Sequence, residues 1–233
     1  MIRNKKRYER NMIVPEFGME GQEKLFTSKV LVVGAGGLGS AVLSYLAASG
    51  IGTIGIVEFD SVDITNLQRQ VLYSFRDVDS SKIDTALDKL SNQNPEINFE
   101  LYPVRLSEEN INLIIEKFDV VVDCTDNYKT RYIIDESCEN YGIPMVYGTA
   151  QGFTGQISVF DYKDGNSYRN LYPCEDLEKD KETVGVISPV PGIIGSMQAM
   201  EVIKLLTGVG ESLTGKLVTA DWYTMDIKIF NIK

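Results

Sequence analysis

The chain has 233 residues, of which 43% are hydrophobic and 24% are charged. This length and composition fit one large α/β domain, or two small ones, with a core that needs no disulfide bonds. The formal net charge of −10 disfavours duplex nucleic acid and anionic membranes as partners, since both require a basic protein surface.

The cysteine content and the N-terminus indicate the compartment. Three cysteines, at spacings unlike those of a metal site, indicate a reducing environment. The N-terminus is basic but no apolar stretch follows it, so we predict no signal peptide and expect a cytoplasmic location. Residues 30–57 are uncharged and long enough to span a bilayer, but seven glycines fall within them. Because these glycines cluster at predicted turns, a buried strand–helix–strand unit explains the segment, and we predict no membrane contact.

The predicted elements alternate between strand and helix over the first two thirds of the chain. Two short helices are expected within residues 5–27. Strands are predicted at 29–34, 53–59, 97–104, 119–124 and 144–150, with helices at 38–49, 107–117 and 127–141. A further helix is predicted with Asp79 or Ser80 as its N-cap and its end at 91. This alternation predicts an α/β fold with a doubly wound, mostly parallel sheet of Rossmann-like type.

The pattern changes after residue 155. A strand is predicted at 156–162, an irregular polar stretch at 163–182, a helix at 191–207, and a closing antiparallel pair at 216–220 and 225–232. We therefore expect a single domain over residues 1–233 with an antiparallel C-terminal extension. Its parts would be an N-terminal helical arm (1–27), a nucleotide-binding core (28–150) and a C-terminal part with a long loop and strands (151–233).

The most informative motif is the glycine loop (residues 34–39), which follows the first predicted strand and reads G-A-G-G-L-G. Glycine allows a tight turn with exposed backbone N–H groups, and the N-terminus of the following helix has a partial positive charge. We therefore predict that Gly34, Gly36, Gly37 and Gly39 bind phosphate. The loop alone does not distinguish NAD, FAD and ATP.

Charged residues beyond the loop favour a triphosphate. Glu58 ends the second strand about twenty residues after the glycines, where a carboxylate binds ribose hydroxyls in dinucleotide folds. Arg69 and Lys82 follow it, and Asp126 comes directly after the strand at 119–124. An arginine, a lysine and an aspartate at the carboxyl edge of a sheet suit ATP with Mg²⁺ better than a dinucleotide.

Six motifs in a fixed order resemble those of a known family. They are G-A-G-G-L-G, N-L-Q-R-Q, S-K after an acidic turn, D-C-T-D-N, Y-G-x-x-x-G-F-x-G-Q and G-I-I-G-S-M-Q-A-M-E-V-I-K-L-L-T-G. Over about residues 8–208 the chain resembles the ThiF/MoeB/HesA family, the bacterial relatives of ubiquitin-activating enzymes. The resemblance implies ATP-dependent adenylation of the C-terminal glycine carboxylate of a small ubiquitin-like sulfur carrier protein ending in Gly-Gly, with release of pyrophosphate.

The resemblance also implies roles for individual residues. The glycine loop would hold the phosphates, with Gly37 in closest approach, and Glu58 would bind the ribose. The other nucleotide ligands would be Asp60, Asn66, Gln68, Arg69, Lys82, Asp126 and Asn127. Asp126 matches a Mg²⁺ ligand, and Arg10 resembles an arginine that relatives insert into the neighbouring subunit's site, which implies a homodimer. The catalytic residues would be Arg10, Arg69, Lys82 and Asp126.

The chain contains no histidine, and the implied chemistry needs none. A C-terminal carboxylate has a pKa of about 3.5, so it is already an anion at pH 7 and requires no general base. The obstacle is instead its repulsion by the triphosphate. Mg²⁺ on Asp126, together with Arg69, Lys82 and the partner subunit's Arg10, would neutralise the developing charge.

Two features found in members of this family are altered here. Many members bind zinc through two C-x-x-C pairs, but the first pair falls on Ser167 to Asn170 and no cysteine follows in the C-terminal strands, so we predict no zinc. We expect either hydrogen bonds from Ser167 and Asn170 or a closed antiparallel tail to hold this loop instead. Some relatives have a reactive cysteine just before G-V-x-x-P, which is missing from residues 181–189. Cys174 is nearby, but its acidic neighbours oppose thiolate formation, so we favour adenylation alone, with a separate sulfur donor.

Three other functions remain open at this point. An NAD(P)- or flavin-dependent oxidoreductase fits the glycine loop but leaves Arg69, Lys82 and Asp126 unexplained. A carrier-binding subunit without catalysis would not need those three residues. An adenylating enzyme for a tRNA base or a ribosomal peptide keeps the chemistry, although the negative charge disfavours tRNA. The sequence does not identify the pathway, for example thiamin or molybdopterin biosynthesis.

Structural roles compete with functional ones at several positions. Arg10, Arg69 and Lys82 are each also candidates for ordinary solvated surface charges. Asp126 is a possible N-cap for the helix that starts at Asn127. Asp123, within the strand, is an equally good candidate for a structural hydrogen-bond acceptor. Cys124 and Cys138 are expected to pack inertly in the core.

Overall fold

Runs of β-branched residues form the centre of the sheet. In the computed structural model, which describes residues 4–160, 166–173 and 185–232, β1 (Lys29–Val33), β2 (Thr53–Val57) and β4 (Val120–Asp123) are buried along almost their whole length. Helices cover both faces of these strands, which explains why they read as continuous apolar runs rather than as alternating patterns. β3 (Asn98–Tyr102) and β5 (Met145–Gln151) flank them.

The eight strands of the described residues form one sheet in the order β3-β2-β1-β4-β5-β6-β7-β8. The first five pair in parallel. β6 (Thr154–Phe160), β7 (Lys216–Asp221) and β8 (Asp226–Asn231) continue the sheet with antiparallel pairing. The predicted doubly wound sheet with its antiparallel extension is confirmed. The strand order reverses between β1 and β4, and ligands of such sheets bind at this switch point, beyond the carboxyl ends of the strands.

Helices pack on the two faces around separate apolar clusters. One face is covered by α3 (Gly37–Ser49), α4 (Lys82–Gln93) and α8 (Pro189–Thr207). The other face is covered by α5 (Ile111–Ile115), α6 (Tyr128–Tyr141) and the short α7 (Tyr168–Leu171). No helix within the described ranges combines the length and the hydropathy that a bilayer crossing requires. The uncharged segment 30–57 forms β1, α3 and β2, as predicted.

Helix α4 begins later than predicted. Its N-cap is Ser81, whose hydroxyl accepts a hydrogen bond from the N–H of Asp84 at 3.4 Å. The prediction of Asp79 or Ser80 as the cap was therefore wrong. Asp79 has a left-handed backbone with φ of 68°, whereas an N-cap residue is normally extended.

Helix α5 is much shorter than the predicted 107–117. The side chain of Asn110 accepts a hydrogen bond from the N–H of Ser107 at 3.0 Å and donates one to the carbonyl of Arg105 at 2.9 Å. Such local side-chain bonds compete with the helical hydrogen bonds, so the regular helix starts only at Ile111.

The N-terminal arm consists of a 3-10 helix (Lys5–Tyr8), α1 (Glu9–Met12) and α2 (Gly18–Thr27). Tyr8 anchors it and is only 1% exposed. The Tyr8 hydroxyl accepts a hydrogen bond from Asn94 Nδ2 at 2.9 Å, and its ring lies so close to Gly50 that an added Cβ would be 2.5 Å away. Gly50 ends α3 and Asn94 ends α4, so the arm lies at the amino edge of the parallel strands.

Candidate active site

The glycine loop is wedged between the ends of β1 and β4. Gly34 has a φ of 95°, a conformation that favours glycine, and a Cβ there would lie 2.9 Å from the carbonyl oxygen of Cys124. A Cβ on Gly39 would lie 2.1 Å from the carbonyl oxygen of Gly34. The loop therefore turns tightly into α3, whose first backbone N–H groups lack helical partners at this edge of the sheet.

Helix α8 closes over the loop. A Cβ on Gly37 would lie 3.0 Å from Pro191 and 3.6 Å from Cγ of Arg69, and one on Gly195 would lie 2.5 Å from the carbonyl oxygen of Leu38. These glycines allow α8 and the Arg69 side chain to approach the first turn of α3. The Gly37 backbone thus lies directly beside one of the predicted catalytic residues.

Glu58 is buried, at 6% exposed, and holds the loop from the side of β2. Its Oε2 accepts a hydrogen bond from the N–H of Ala35 at 3.0 Å. Its Oε1 accepts from the N–H groups of Phe59 at 2.8 Å and Asp60 at 2.9 Å. The carboxylate therefore joins the ends of β1 and β2, a role that the sequence did not indicate.

The segment between β2 and α4 brings Arg69 to the loop. Asn66 Oδ1 accepts a hydrogen bond from the N–H of Asp63 at 3.2 Å, which closes a 3-10 turn. Arg69 follows this turn, and its Nη1 donates to the carbonyl of Thr65 at 3.1 Å. Gln68 Oε1 accepts a hydrogen bond from Ser188 Oγ at 2.9 Å, which ties the segment to the start of α8.

Two residues behind the loop were missed from the sequence. Gln70 is 4% exposed, and its Oε1 has no hydrogen-bond partner among the described residues, although a buried side-chain oxygen normally has one. Its Nε2 lies 3.5 Å from the position of a Cβ on Gly36. Tyr73 donates to the carbonyl of Ala35 at 3.0 Å, and burial raises the pKa of its phenol, so it remains a donor. In the sequence, Gln70 was marked only by its place as the last residue of the N-L-Q-R-Q motif.

Lys82 is the buried cation of the site. It is 5% exposed, and its Nζ lies 3.4 Å from Oδ2 of Asp60, whose side chain is half exposed. Tyr73 links Lys82 to the glycine loop, since its hydroxyl also lies 3.4 Å from the Lys82 carbonyl. An ammonium group has three N–H donors, so its contact with Asp60 leaves donors for a further anion beside Lys82.

The turn between β4 and α6 carries Asp126, which is exposed. The N-cap of α6 is Asn127, whose Oδ1 accepts from the N–H of Thr130 at 2.9 Å, so the alternative of Asp126 as the cap was wrong. Asp123 is fully buried and accepts two hydrogen bonds from Thr125, which confirms the structural role considered for it. Burial raises the pKa of Asp123, and the neighbouring Arg131 opposes that shift.

The donor chemistry at this edge fits Mg²⁺. The carboxylate of Asp126 is exposed, whereas that of Asp123 is occupied by Thr125 and Arg131. Within the described residues there is no group of three or more acidic or thiol ligands that could hold a metal on its own. Mg²⁺ in nucleotide sites usually takes one or two carboxylates and completes its shell with phosphates and water, so Asp126 suffices.

Arg10 does not join this group within one chain. It is exposed on α1, two residues after the anchor Tyr8, at the amino edge of the parallel strands. The glycine loop is at the other end of α3, which has 13 residues and is therefore about 20 Å long. The structure thus gathers Glu58, Arg69 and Lys82 around the loop but leaves Arg10 at the opposite edge.

The position of the missing cysteine pair is held by hydrogen bonds. Both the N–H and the Oγ of Ser167 donate to Oδ1 of Asn170 at 2.7 Å, which confirms the predicted contact. Cys174 lies outside the described residues. Cys124 and Cys138 are buried, and burial raises the pKa of both thiols well above the usual value, in agreement with inert packing.

Comparison with known proteins identifies the family. The sequence model of the ThiF family matches residues 8–233 of this chain. The chain is 42% identical to the sulfur carrier protein adenylyltransferase of Thermus thermophilus, covering 92% of this chain and 82% of the relative. It is 40% identical to the molybdopterin-synthase adenylyltransferase of Haemophilus influenzae, covering 95% and 92%. The chain therefore belongs to the ThiF family, as the motifs suggested.

Other relatives are longer, and solved structures agree with the fold. The chain is 42% identical to a probable molybdopterin-synthase adenylyltransferase of Porphyra purpurea over 97% of its own length, but it spans only 60% of that protein. E. coli MccB, in a crystal structure with ATP, superimposes with a TM-score of 0.88 at 24% identity over 97% of this chain and 70% of that one. The crystal structure of PaaA superimposes with a TM-score of 0.85 at 22% identity, over 100% of this chain and 75% of PaaA. At these identities the likeness establishes the fold alone.

Proposed function

We propose that this chain uses ATP and Mg²⁺ to adenylate the C-terminal carboxylate of a small ubiquitin-like sulfur carrier protein ending in Gly-Gly, and releases pyrophosphate. The observation that carries the proposal is the grouping of Arg69 and the buried Lys82 around a glycine loop at the switch point of the sheet. Relatives about 40% identical are named adenylyltransferases, which favours this function over an oxidoreductase.

The side-chain amides of the site support triphosphate binding. Asn66, Gln68 and Asn127 each use the side-chain oxygen as an acceptor for a protein hydrogen bond. This orients each amide and leaves its NH₂ group to donate to phosphate oxygens. Lys82 and Arg69 would add positive charge, and the N-terminus of α3 would bind a phosphate group.

Glu58 and Asp126 would have different tasks. Oε1 of Glu58 accepts two hydrogen bonds from backbone N–H groups and Oε2 accepts one from the loop, so the one remaining lone pair, on Oε2, would accept a hydrogen bond from a ribose hydroxyl. Asp126 would hold Mg²⁺ together with the phosphates, and the bound ion would supply charge neutralisation at the reacting phosphate. The carrier carboxylate would attack the α-phosphorus atom, and pyrophosphate would leave with the electrons of the broken P–O bond.

A homodimer would complete the site. Because Arg10 lies at the opposite edge from its own glycine loop, we propose that it enters the site of the neighbouring subunit and stabilises the leaving pyrophosphate. A separate protein would donate sulfur to the adenylated carrier. Thiamin biosynthesis remains a possible pathway beside molybdopterin biosynthesis, for which two of the relatives are named. Cytoplasmic location and the absence of zinc stay predictions.

The test is exchange of labelled pyrophosphate into ATP. We expect exchange only when a carrier ending in Gly-Gly is added, and none with the same carrier lacking its last two glycines. ATP binding without exchange for any carrier would instead indicate a non-catalytic subunit. Exchange driven by a tRNA or by a short peptide would indicate an adenylating enzyme that acts on a tRNA base or on a ribosomal peptide. Tight NAD(P)H or flavin binding without ATP affinity would overturn the proposal.

A further inference from the structure

A buried ion pair lies behind the turn that carries Asp126. The side chains of Arg131 and Asp123 are 6% and 0% exposed, and Nε of Arg131 lies 3.3 Å from Oδ2 of Asp123. Burying two charges is costly, and hydrophobic residues often replace such pairs without loss of stability. The proposed chemistry uses neither residue directly, so the pair requires a different explanation.

Both members of the pair bind Thr125, the residue before Asp126. Oδ1 of Asp123 accepts hydrogen bonds from the Thr125 N–H at 2.9 Å and from its hydroxyl at 2.6 Å. Nη2 of Arg131 donates to the Thr125 carbonyl at 2.7 Å. The peptide groups on both sides of Thr125 are therefore held, and because each is planar, the direction in which the chain enters Asp126 is fixed.

The guanidinium group is itself held from several sides. Its carbon lies 5.3 Å from the ring centre of Tyr147 and 5.8 Å from that of Tyr128, and Nη2 lies 3.4 Å from the hydroxyl of Thr149. The planar fork of arginine reaches the Asp123 carboxylate and the Thr125 carbonyl at the same time. A lysine would keep the charge but not this geometry.

We propose that Arg131 is a positioning residue that acts through Thr125 to aim the Asp126 carboxylate at the metal-bound phosphates. The inference rests on the proposed function of Asp126. It explains why a buried charge pair lies beneath an exposed carboxylate. It also predicts a specific defect, since misdirection of Asp126 weakens the metal contact and leaves the other nucleotide contacts unchanged.

The first test is the Arg131→Lys variant. We expect its kcat for carrier-dependent pyrophosphate exchange to fall about 10- to 100-fold, as for other residues that orient metal ligands. The Mg²⁺ concentration for half-maximal rate should rise several-fold, while ATP affinity measured in EDTA should stay within about 2-fold of wild type. The matched control is Arg169→Lys, because Arg169 is also ion-paired, to Asp135 and Glu136, but does not contact Thr125.

A double-mutant cycle separates positioning from general damage. In an Asp126→Ala background, Arg131→Lys should cause little further loss, because the residue that it orients is gone. In a Lys82→Ala background, Arg131→Lys should cause the same fold-loss in exchange rate as in the wild type, so that the two losses multiply. Affinity of the ATP complex for Mn²⁺, measured by electron paramagnetic resonance, gives a readout independent of turnover, and Arg131→Lys should weaken it several-fold.

Several results would overturn the inference. Full additivity with Asp126→Ala, or wild-type Mn²⁺ affinity in Arg131→Lys, would each do so. If Arg131→Lys does not fold, the uncharged pair Asp123→Asn with Arg131→Gln avoids a lone buried charge and must show the same Mn²⁺ defect. Wild-type protein without exchange for any carrier would contradict the proposed function instead, and the Mn²⁺ measurement would still decide the role of Arg131.

Discussion

The two edges of the parallel strands differ in how their polar groups are used. At the carboxyl edge, Glu58, Lys82 and the Arg131–Asp123 pair are buried and held by hydrogen bonds and ion pairs near the glycine loop. At the amino edge, the polar contacts of Tyr8 attach the N-terminal arm to the ends of α3 and α4, and Arg10 is left exposed.

This difference shows what a single chain provides. The groups that would bind the triphosphate are already in place within one subunit, and the exposed cation of Arg10 lies about one helix length away from them. A rigid sheet cannot bring the two edges together. If Arg10 acts in catalysis, it must therefore act on another subunit, and several measurements test this division.

The largest effect is expected at the carboxyl edge. Asp126→Ala should lower carrier-dependent pyrophosphate exchange about 10²- to 10³-fold, because the proposed metal contact that neutralises the reacting phosphates is lost. The residue is exposed, so the thermal midpoint should hardly change. Asp88→Ala, which removes an exposed carboxylate from the middle of α4, is the control. A fully active Asp126→Ala variant would remove this residue from the site.

Arg10→Ala should reduce exchange about as strongly, by on the order of 10²-fold, and here mixing subunits is decisive. Arg10→Ala subunits keep an intact carboxyl edge, while Asp126→Ala subunits keep an intact arm. Random mixing makes half of the dimers mixed, each with one complete site, so about a quarter of wild-type activity should return. Mixtures with no recovery would contradict the assignment of Arg10 to the neighbouring site.

A smaller effect is expected for Glu58→Gln. The amide retains the shape but replaces one carboxylate oxygen, so a hydrogen bond from the Ala35, Phe59 or Asp60 N–H is lost. A charge-assisted hydrogen bond is worth about 1.5–3 kcal/mol, so ATP affinity should fall on the order of 10-fold. Isothermal calorimetry measures this directly. Glu58→Gln with wild-type affinity for ATP would show that neither the loop nor the ribose depends on the carboxylate.

Comparison of sequence and structure shows which of these contacts were predictable. The C-terminal end of α6 was, because Gly142 is a local capping signal, whereas the N-cap is Asn127 and not Asp126, the candidate that the sequence offered. The contacts of Glu58 with Ala35 and of Arg131 with Thr125 depend on how separate elements meet. Gln198 is similar, since its Nε2 donates from α8 to the carbonyl of Asp123 at the end of β4 at 2.7 Å, a contact that nothing in the local helix pattern indicates. Local sequence patterns predict helices and strands, whereas the contacts that hold the site residues in place depend on the tertiary structure.

The smallest effect concerns the stability of the segment that joins Arg69 to Lys82. Asp77 accepts an ionic hydrogen bond from Lys89 and two further bonds from Ser74, and these lower the pKa of its carboxyl to about 2. A lowered folded-state pKa stabilises the protein above the ordinary pKa of aspartate, and this gain is lost as the pH falls from about 4 through about 2. Asp77→Asn should therefore lower the free energy of unfolding by about 1 kcal/mol at pH 7.

The loss in Asp77→Asn should shrink as acid removes the same charge from the wild type, and urea unfolding between pH 7 and pH 3 measures this convergence. Asp226→Asn serves as the control, because the ion pair of Asp226 with Lys228 is exposed on β8 and should contribute little at any pH. A constant difference between wild type and Asp77→Asn across this range would mean that the carboxylate charge does not stabilise the segment. Uncharged hydrogen bonds, such as those of Ser74, Gln68 and Tyr73, would then hold Arg69 in place relative to Lys82.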